Sequence, residues 1–199
     1  MRTATMVASL TILFLLVVGS AWADEIKISG VHNCCGACCK AIHEALGKVE
    51  GVSDVTAEPK KPDFTFQATD TKVARRAIGA VARAGFYGKV DDDKLTFPKR
   101  SGVKPGKVTR LSLVGLHNCC PGCCKAAKDA LAKVKGVEAD TLKPKSRKFV
   151  VEGDFDGAAL VKALNDAGFF VRNAPKLSLD HVPQLSMQGL AAALGAPEK

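Results

Sequence analysis

Apolar and polar residues alternate along EIKISGV (25–31) and again along VTRLSLVGL (108–116), the period of two expected of half-buried strands. After the first of these runs the period changes. Ile42, Ala45, Leu46 and Val49 recur at helical spacing. Two short strand-like runs follow, 52–57 and 63–68, with counterparts at 137–142 and 148–152. A second amphipathic helix is predicted over 71–84, and over 155–167 in the later half, stopped by Gly85 or Gly168. A last strand is expected to begin with Phe86 or Phe169. The order βαββαβ is that of the split-βαβ, ferredoxin-like motif, an α+β fold in which an antiparallel sheet carries two helices on one face.

The halves are copies of each other. At an offset of 85 residues Gly30 meets Gly115, His32 meets His117, Asn33 meets Asn118, and Cys34, Cys35, Cys38 and Cys39 each meet a cysteine. The match continues through Lys40/Lys125, Ala45/Ala130, Leu46/Leu131, Val49/Val134, Gly51/Gly136 and Val52/Val137. It resumes at an offset of 83, where ARAGF (82–86) faces NDAGF (165–169). The expected organisation is a leader at 1–23, a first domain at 24–92, a linker at 93–107, a second domain at 108–173 and a tail at 174–199. Units of this size bury a small core, so neither copy is expected to be very stable alone.

Charge and composition then exclude several classes of function. Arg2, the apolar run 6–19 and Ala21-Trp22-Ala23 read as a secretory signal with a small-x-small cleavage site, so export to a secreted or periplasmic location is expected. The apolar run is shorter than the ~20 residues that span a bilayer, and no stable membrane insertion is expected after cleavage. The net charge of +9 falls to +8 when Arg2 leaves with the leader, and the excess lies in the linker and second domain. Without Trp in the remaining chain, and with a single Tyr, no aromatic platform accompanies the basic residues, so no nucleic-acid partner is expected. Paired carboxylates, a nucleophile with its base and a phosphate-binding loop are also missing, so no catalysis is predicted.

The chemistry sits in two short stretches, HNCCGACC (32–39) and HNCCPGCC (117–124). Thiols packed this densely suit structural bridges, thiol–disulfide exchange or a thiophilic metal. Bracing disulfides usually join segments distant in sequence, whereas these cluster in one loop per copy. CPGC (120–123) is similar to a redox Cys-x-x-Cys, but a preceding aromatic and a distant facing proline are lacking.

ISGVHNCCGACCKAIHEALGKVEGV resembles the heavy-metal-associated domain, the soft-metal carrier module of copper chaperones, metal-pumping ATPases and the periplasmic mercury-binding protein. Counted from Cys38, the residues Ile42, Ala45, Leu46, Val49, Gly51 and Val52 fall in that family's register, and Cys123 is followed equally well. The resemblance implies the fold read above and assigns the metal-ligand pairs to Cys35 with Cys38 and Cys120 with Cys123. Each pair would straddle the start of the first helix, where unpaired amides and the helix dipole stabilise thiolates. Such a pair suits Cu(I) first, with Hg(II), Zn(II) or Cd(II) as alternatives. The resemblance also implies transfer by ligand exchange, with a membrane metal transporter or another thiol-rich carrier as partner.

Departures from the family's pattern define what this chain adds. The usual Met after Gly is Val31 or Leu116, and the loop is two residues longer. Cys34, Cys39, Cys119 and Cys124 are extra sulfurs, able to enlarge the site toward a Cys₄-like or clustered one, or to close a disulfide such as Cys34 with Cys39. His32 and His117 are the leading non-thiol ligand candidates, favouring Zn(II) or Cu(II). Asn33 and Asn118 are expected to shape the turn. Phe86 and Phe169 fit either the metal loop's surroundings or simple core packing, and Lys40 and Lys125 either lower a thiol pKa or lie on the surface. His43 and His181 have no repeat partners, and 185–194 could form a short helix.

Overall fold

Ile26 and Ile28 alternate with Glu25 and Lys27, and strand β1 (Asp24–Ser29) accordingly buries the isoleucines and exposes the charges. The structure, a computed structural model, describes residues 24–175. The expected leader, the rest of the tail with its helix at 185–194, and His181 lie outside the described residues.

The first unit continues with α1 (Gly36–Leu46), β2 (Val52–Ala57), β3 (Phe64–Ala68), α2 (Thr71–Arg83) and β4 (Lys89–Val90). Its sheet runs β2-β3-β1-β4, every pairing antiparallel. The second unit repeats the plan with β5 (Lys107–Val114), α3 (Pro121–Leu131), β6 (Val137–Asp140), β7 (Lys148–Asp156), α4 (Gly157–Asp166) and β8 (Arg172–Asn173), ordered β6-β7-β5-β8. This is the ferredoxin-like order, twice, in an α+β chain. Ile28, Ile42, Leu46, Phe66, Ile78 and Phe86 fill the first core, and Leu113, Leu131, Phe149, Leu160, Leu164 and Phe169 the second. Among the described residues no helix is long and apolar enough to cross a membrane.

Local chemistry sets the helix ends. Asp70 and Asp156 cap α2 and α4, each carboxylate accepting from a backbone N–H three residues on, at 2.7 Å from Val73 N and Ala159 N. The second helix of the later unit therefore starts at Gly157, two residues after its expected start. Phe155 belongs to β7 and is buried in the core as a strand residue. β7 runs four residues beyond the expected 152 because Gly153 (φ +137) lets the strand continue through an irregular pairing with β6. There the two backbone segments approach closely: a Cβ on Gly136 would lie 1.9 Å from Asp154 O, and one on Gly153 2.0 Å from Gly136 O. The final strands begin at Lys89 and Arg172, three residues later than expected. Phe86 and Phe169 precede them, fully buried, and their N–H groups close the helix ends onto Val81 O (3.3 Å) and Leu164 O (2.9 Å).

The stretch 93–107 is divided between the units, whose boundary falls between Phe97 and Pro98. Leu95 and Phe97 are buried, Phe97 packs against Tyr87 with ring centroids 5.1 Å apart, and Arg75 donates to Lys94 O at 3.0 Å. On the other side Asn173 N donates to Ser101 O (2.7 Å), Gly157 N to Gly106 O (3.0 Å) and Gly106 N to the Asp156 carboxylate (2.9 Å). Residues 98–100 remain as an exposed connection.

Candidate metal centre

The thiol loop of each unit follows the first strand and is tied to the hairpin between the second and third. In the first unit Val31 N donates to Pro62 O (2.8 Å), Lys60 N to Asn33 O (2.8 Å) and Asn33 Nδ2 to Glu58 O (2.7 Å). In the second, Gly115 N donates to Arg147 O (2.9 Å), and Asn118 Nδ2 lies 2.8 Å from Lys143 O and 2.9 Å from Ser146 O. Both asparagines are buried, as are Val31 and Leu116, which stand where the resembling family has Met. The loop is thus pinned by one amide side chain and one apolar anchor per copy. The asparagines do more than shape a turn, and their exact duplication beside the histidines was the sequence signal for it.

From this loop α1 and α3 begin. Cys35 and Cys120 are the N-cap residues, in extended backbone (φ −157 and −147), and neither helix has a side-chain cap hydrogen bond. A thiolate at either position meets the positive end of the helix dipole. Pro121 occupies the first turn of α3, where its missing N–H costs nothing and its fixed φ suits the helix.

The sulfurs converge on the helix's third residue. Cys38 Sγ lies 3.7 Å from both Cys34 Sγ and Cys35 Sγ, and all three are within 4.8 Å of one another. Cys123 Sγ lies 3.7 Å from both Cys119 Sγ and Cys120 Sγ. Cys38 and Cys123 form the buried floor of each cluster, while the other two sulfurs of each are partly exposed. Cys39 and Cys124 go elsewhere. Successive helical residues are rotated by about 100°, so the next cysteine cannot share the direction of the one before. Cys39 Sγ donates to Asn33 Oδ1 at 3.2 Å, and Cys124 Sγ contacts Leu142 O at 4.0 Å. Burial pushes the Cys124 thiol pKa up, against the opposing pull of Lys128. No disulfide joins any of the eight cysteines, and Cys34 stands against Cys38 rather than Cys39.

The remaining candidates fall into place around these clusters. A ring nitrogen of His32 lies within 4.8 Å of Cys34 Sγ, and one of His117 within 4.8 Å of both Cys119 Sγ and Cys123 Sγ. His117 is buried and His32 half-buried. Lys40 and Lys125 point along the helix to Glu44 (3.8 Å) and Asp129 (2.7 Å), and His43 is exposed. A cleft of about 340 Å³ opens beside the first loop, lined by Val31, His32, Asn33, Cys34, Lys60 and Pro62.

Clustered, partly exposed sulfurs at a helix N-terminus form a site able to hold a thiophilic metal ion. No family model and no curated protein matches the chain. Among solved structures, the N-terminal soluble domains of Bacillus subtilis CopA, determined in solution, are similar, at 15% identity. The match covers 76% of this chain and 94% of that chain, with a TM-score of 0.27. An overlap so loose carries no weight for function, and the chemistry is read from this chain's own sulfurs.

Proposed function

We propose that this protein is an exported, non-catalytic carrier that captures a soft metal ion at the N-terminus of the first helix in each unit, for sequestration or for transfer to a thiol-bearing partner. One observation carries the reading: two unlike loops, Cys-Gly-Ala-Cys and Cys-Pro-Gly-Cys, place their paired sulfurs at the same 3.7 Å, on the same helical position. Cu(I) is the first-choice ion, with Hg(II), Zn(II) and Cd(II) as the alternatives that thiolate ligands admit. Half-exposed Cys35 and Cys120, and the cleft beside Cys34, leave an approach for an incoming thiolate, so ligand exchange with a membrane transporter or another thiol-rich carrier needs no release of free ion.

The test is titration of the reduced chain with Cu(I) and Hg(II) against a competing chelator, with thiols counted before and after. Tight binding that is lost at one unit in Cys35→Ser/Cys38→Ser and at the other in Cys120→Ser/Cys123→Ser is expected. Failure of the reduced chain to bind either ion, or turnover of a disulfide substrate without metal capture, would replace this reading with thiol–disulfide exchange.

A further inference from the structure

We infer that each unit holds its ion in a three-sulfur cradle, with Cys34 in the first unit and Cys119 in the second supplying a third thiolate beyond the Cys-x-x-Cys pair. The inference rests on the metal-capture reading above and sharpens the class of ion that fits. Cys34 Sγ stands 3.7 Å from Cys38 Sγ, the same separation that Cys35 keeps, and Cys119 repeats this with Cys123. A metal–sulfur bond of about 2.3 Å sets sulfurs roughly 4.6 Å apart across a linear two-coordinate ion, about 4.0 Å apart around a trigonal ion and about 3.8 Å in a tetrahedron. The observed spacing matches the higher coordination numbers and is about an ångström too short for the linear one. The fourth cysteine of each motif is excluded by its helical direction and by its own acceptor, Asn33 Oδ1 or Leu142 O.

The cradle therefore selects thiophilic ions that take three sulfurs, such as trivalent arsenic, over ions content with two. Arsenite is the most discriminating probe because it counts thiols. As(OH)₃ exchanges three As–O bonds for three As–S bonds, and the three thiol protons leave with the hydroxides as three waters. Arsenic stays trivalent, and no electrons move.

The reduced full-length chain, freed of small thiols under inert gas, is titrated with arsenite, and bound arsenic and remaining alkylatable thiols are measured. Two arsenic atoms per chain are expected, with Cys39 and Cys124 left to alkylate. Cys34→Ser should halve the bound arsenic, Cys34→Ser/Cys119→Ser should abolish it, and Cys39→Ser should leave both ions in place. Hg(II) capture by Cys34→Ser through Cys35 and Cys38, with an unchanged far-UV spectrum, shows that the variant is folded. The inference is overturned if Cys34→Ser still binds two arsenic atoms, if Cys39→Ser loses arsenic as Cys34→Ser does, or if Cys34→Ser loses Hg(II) as well. Hg(II) capture by the parent chain without arsenite uptake sinks the third thiolate alone. Capture of neither ion, nor of Cu(I), sinks metal capture as well.

Discussion

Replacing Asn118 by Ala tests how the thiol loop is held. The buried amide donates to Lys143 O at 2.8 Å and Ser146 O at 2.9 Å, and the variant loses both bonds at once. Each bond contributes on the order of 1 kcal/mol net, and the side chains of 143 and 146 are not buried, so water partly compensates the abandoned carbonyls. The local opening free energy should fall by about 2 kcal/mol, roughly a thirtyfold rise in the open population. Hydrogen exchange followed by mass spectrometry on the intact chain reads this directly. Amides at 116–120 and 141–147 should exchange about thirtyfold faster, while peptides of the first unit keep their protection. Asn118→Asp adds a second handle. Its carboxylate would face two carbonyl oxygens, which raises its folded pKa above the unfolded value near 3.9, so this variant should gain stability as pH falls through that raised pKa. Exchange within threefold of the parent in Asn118→Ala, or no acid recovery in Asn118→Asp, would refute the pinning role.

Three further outcomes follow from geometry. Gly136→Ala should destabilise the second unit by more than about 2 kcal/mol in urea unfolding, since φ +88 and an Asp154 carbonyl 1.9 Å from the new Cβ combine strain and clash; Gly106→Ala (φ +116), with open space around it, should cost about 1 kcal/mol. Asp156 accepts from Ala159 N and Gly106 N, which holds its carboxyl pKa below the usual value. The depressed folded pKa places its stabilisation above the unfolded pKa and removes it as pH falls through the folded one, so Asp156→Ala should lower the Tm at neutral pH and converge with the parent in acid. Phe86→Ala, emptying a fully buried ring site, should cost about 3–5 kcal/mol and unfold the first unit while the second keeps its far-UV signal.

The repeat and the periodicity made the ferredoxin-like order legible twice over, because the helices and the longer strands carry an apolar stripe, whereas β8 (Arg172–Asn173) has none. Ends were less legible where backbone geometry outweighed pattern. Gly153 reads as a strand terminator, yet its positive φ carries β7 past it to Phe155, which keeps the alternation of Phe149 and Val151 across the glycine that hid it. Leu95 and Phe97 were hidden among Lys, Pro and Gly, so the stretch around them read as linker although both side chains are buried. At the thiol loop, register with the following helix drew attention to Cys35 and Cys38 but left Cys34 and Cys39 equivalent. Their difference depends on a loop path set by Asn33 and on a 100° helical rotation, one a long-range contact and the other visible only once the helix start is fixed.

The division of residues 93–107 has a consequence for how such a chain can grow. Each unit keeps its own sealing arm, Leu95 and Phe97 behind the first and the Ser101–Gly106 contacts ahead of the second, so only 98–100 belongs to neither. A cut, a recombination joint or an inserted third copy placed there would leave the core contacts within each unit, and the hydrogen bonds that tie each thiol loop to its own hairpin, untouched. The number of thiol loops per chain is then set by how many units are strung together, adjustable one cassette at a time without redesigning a core.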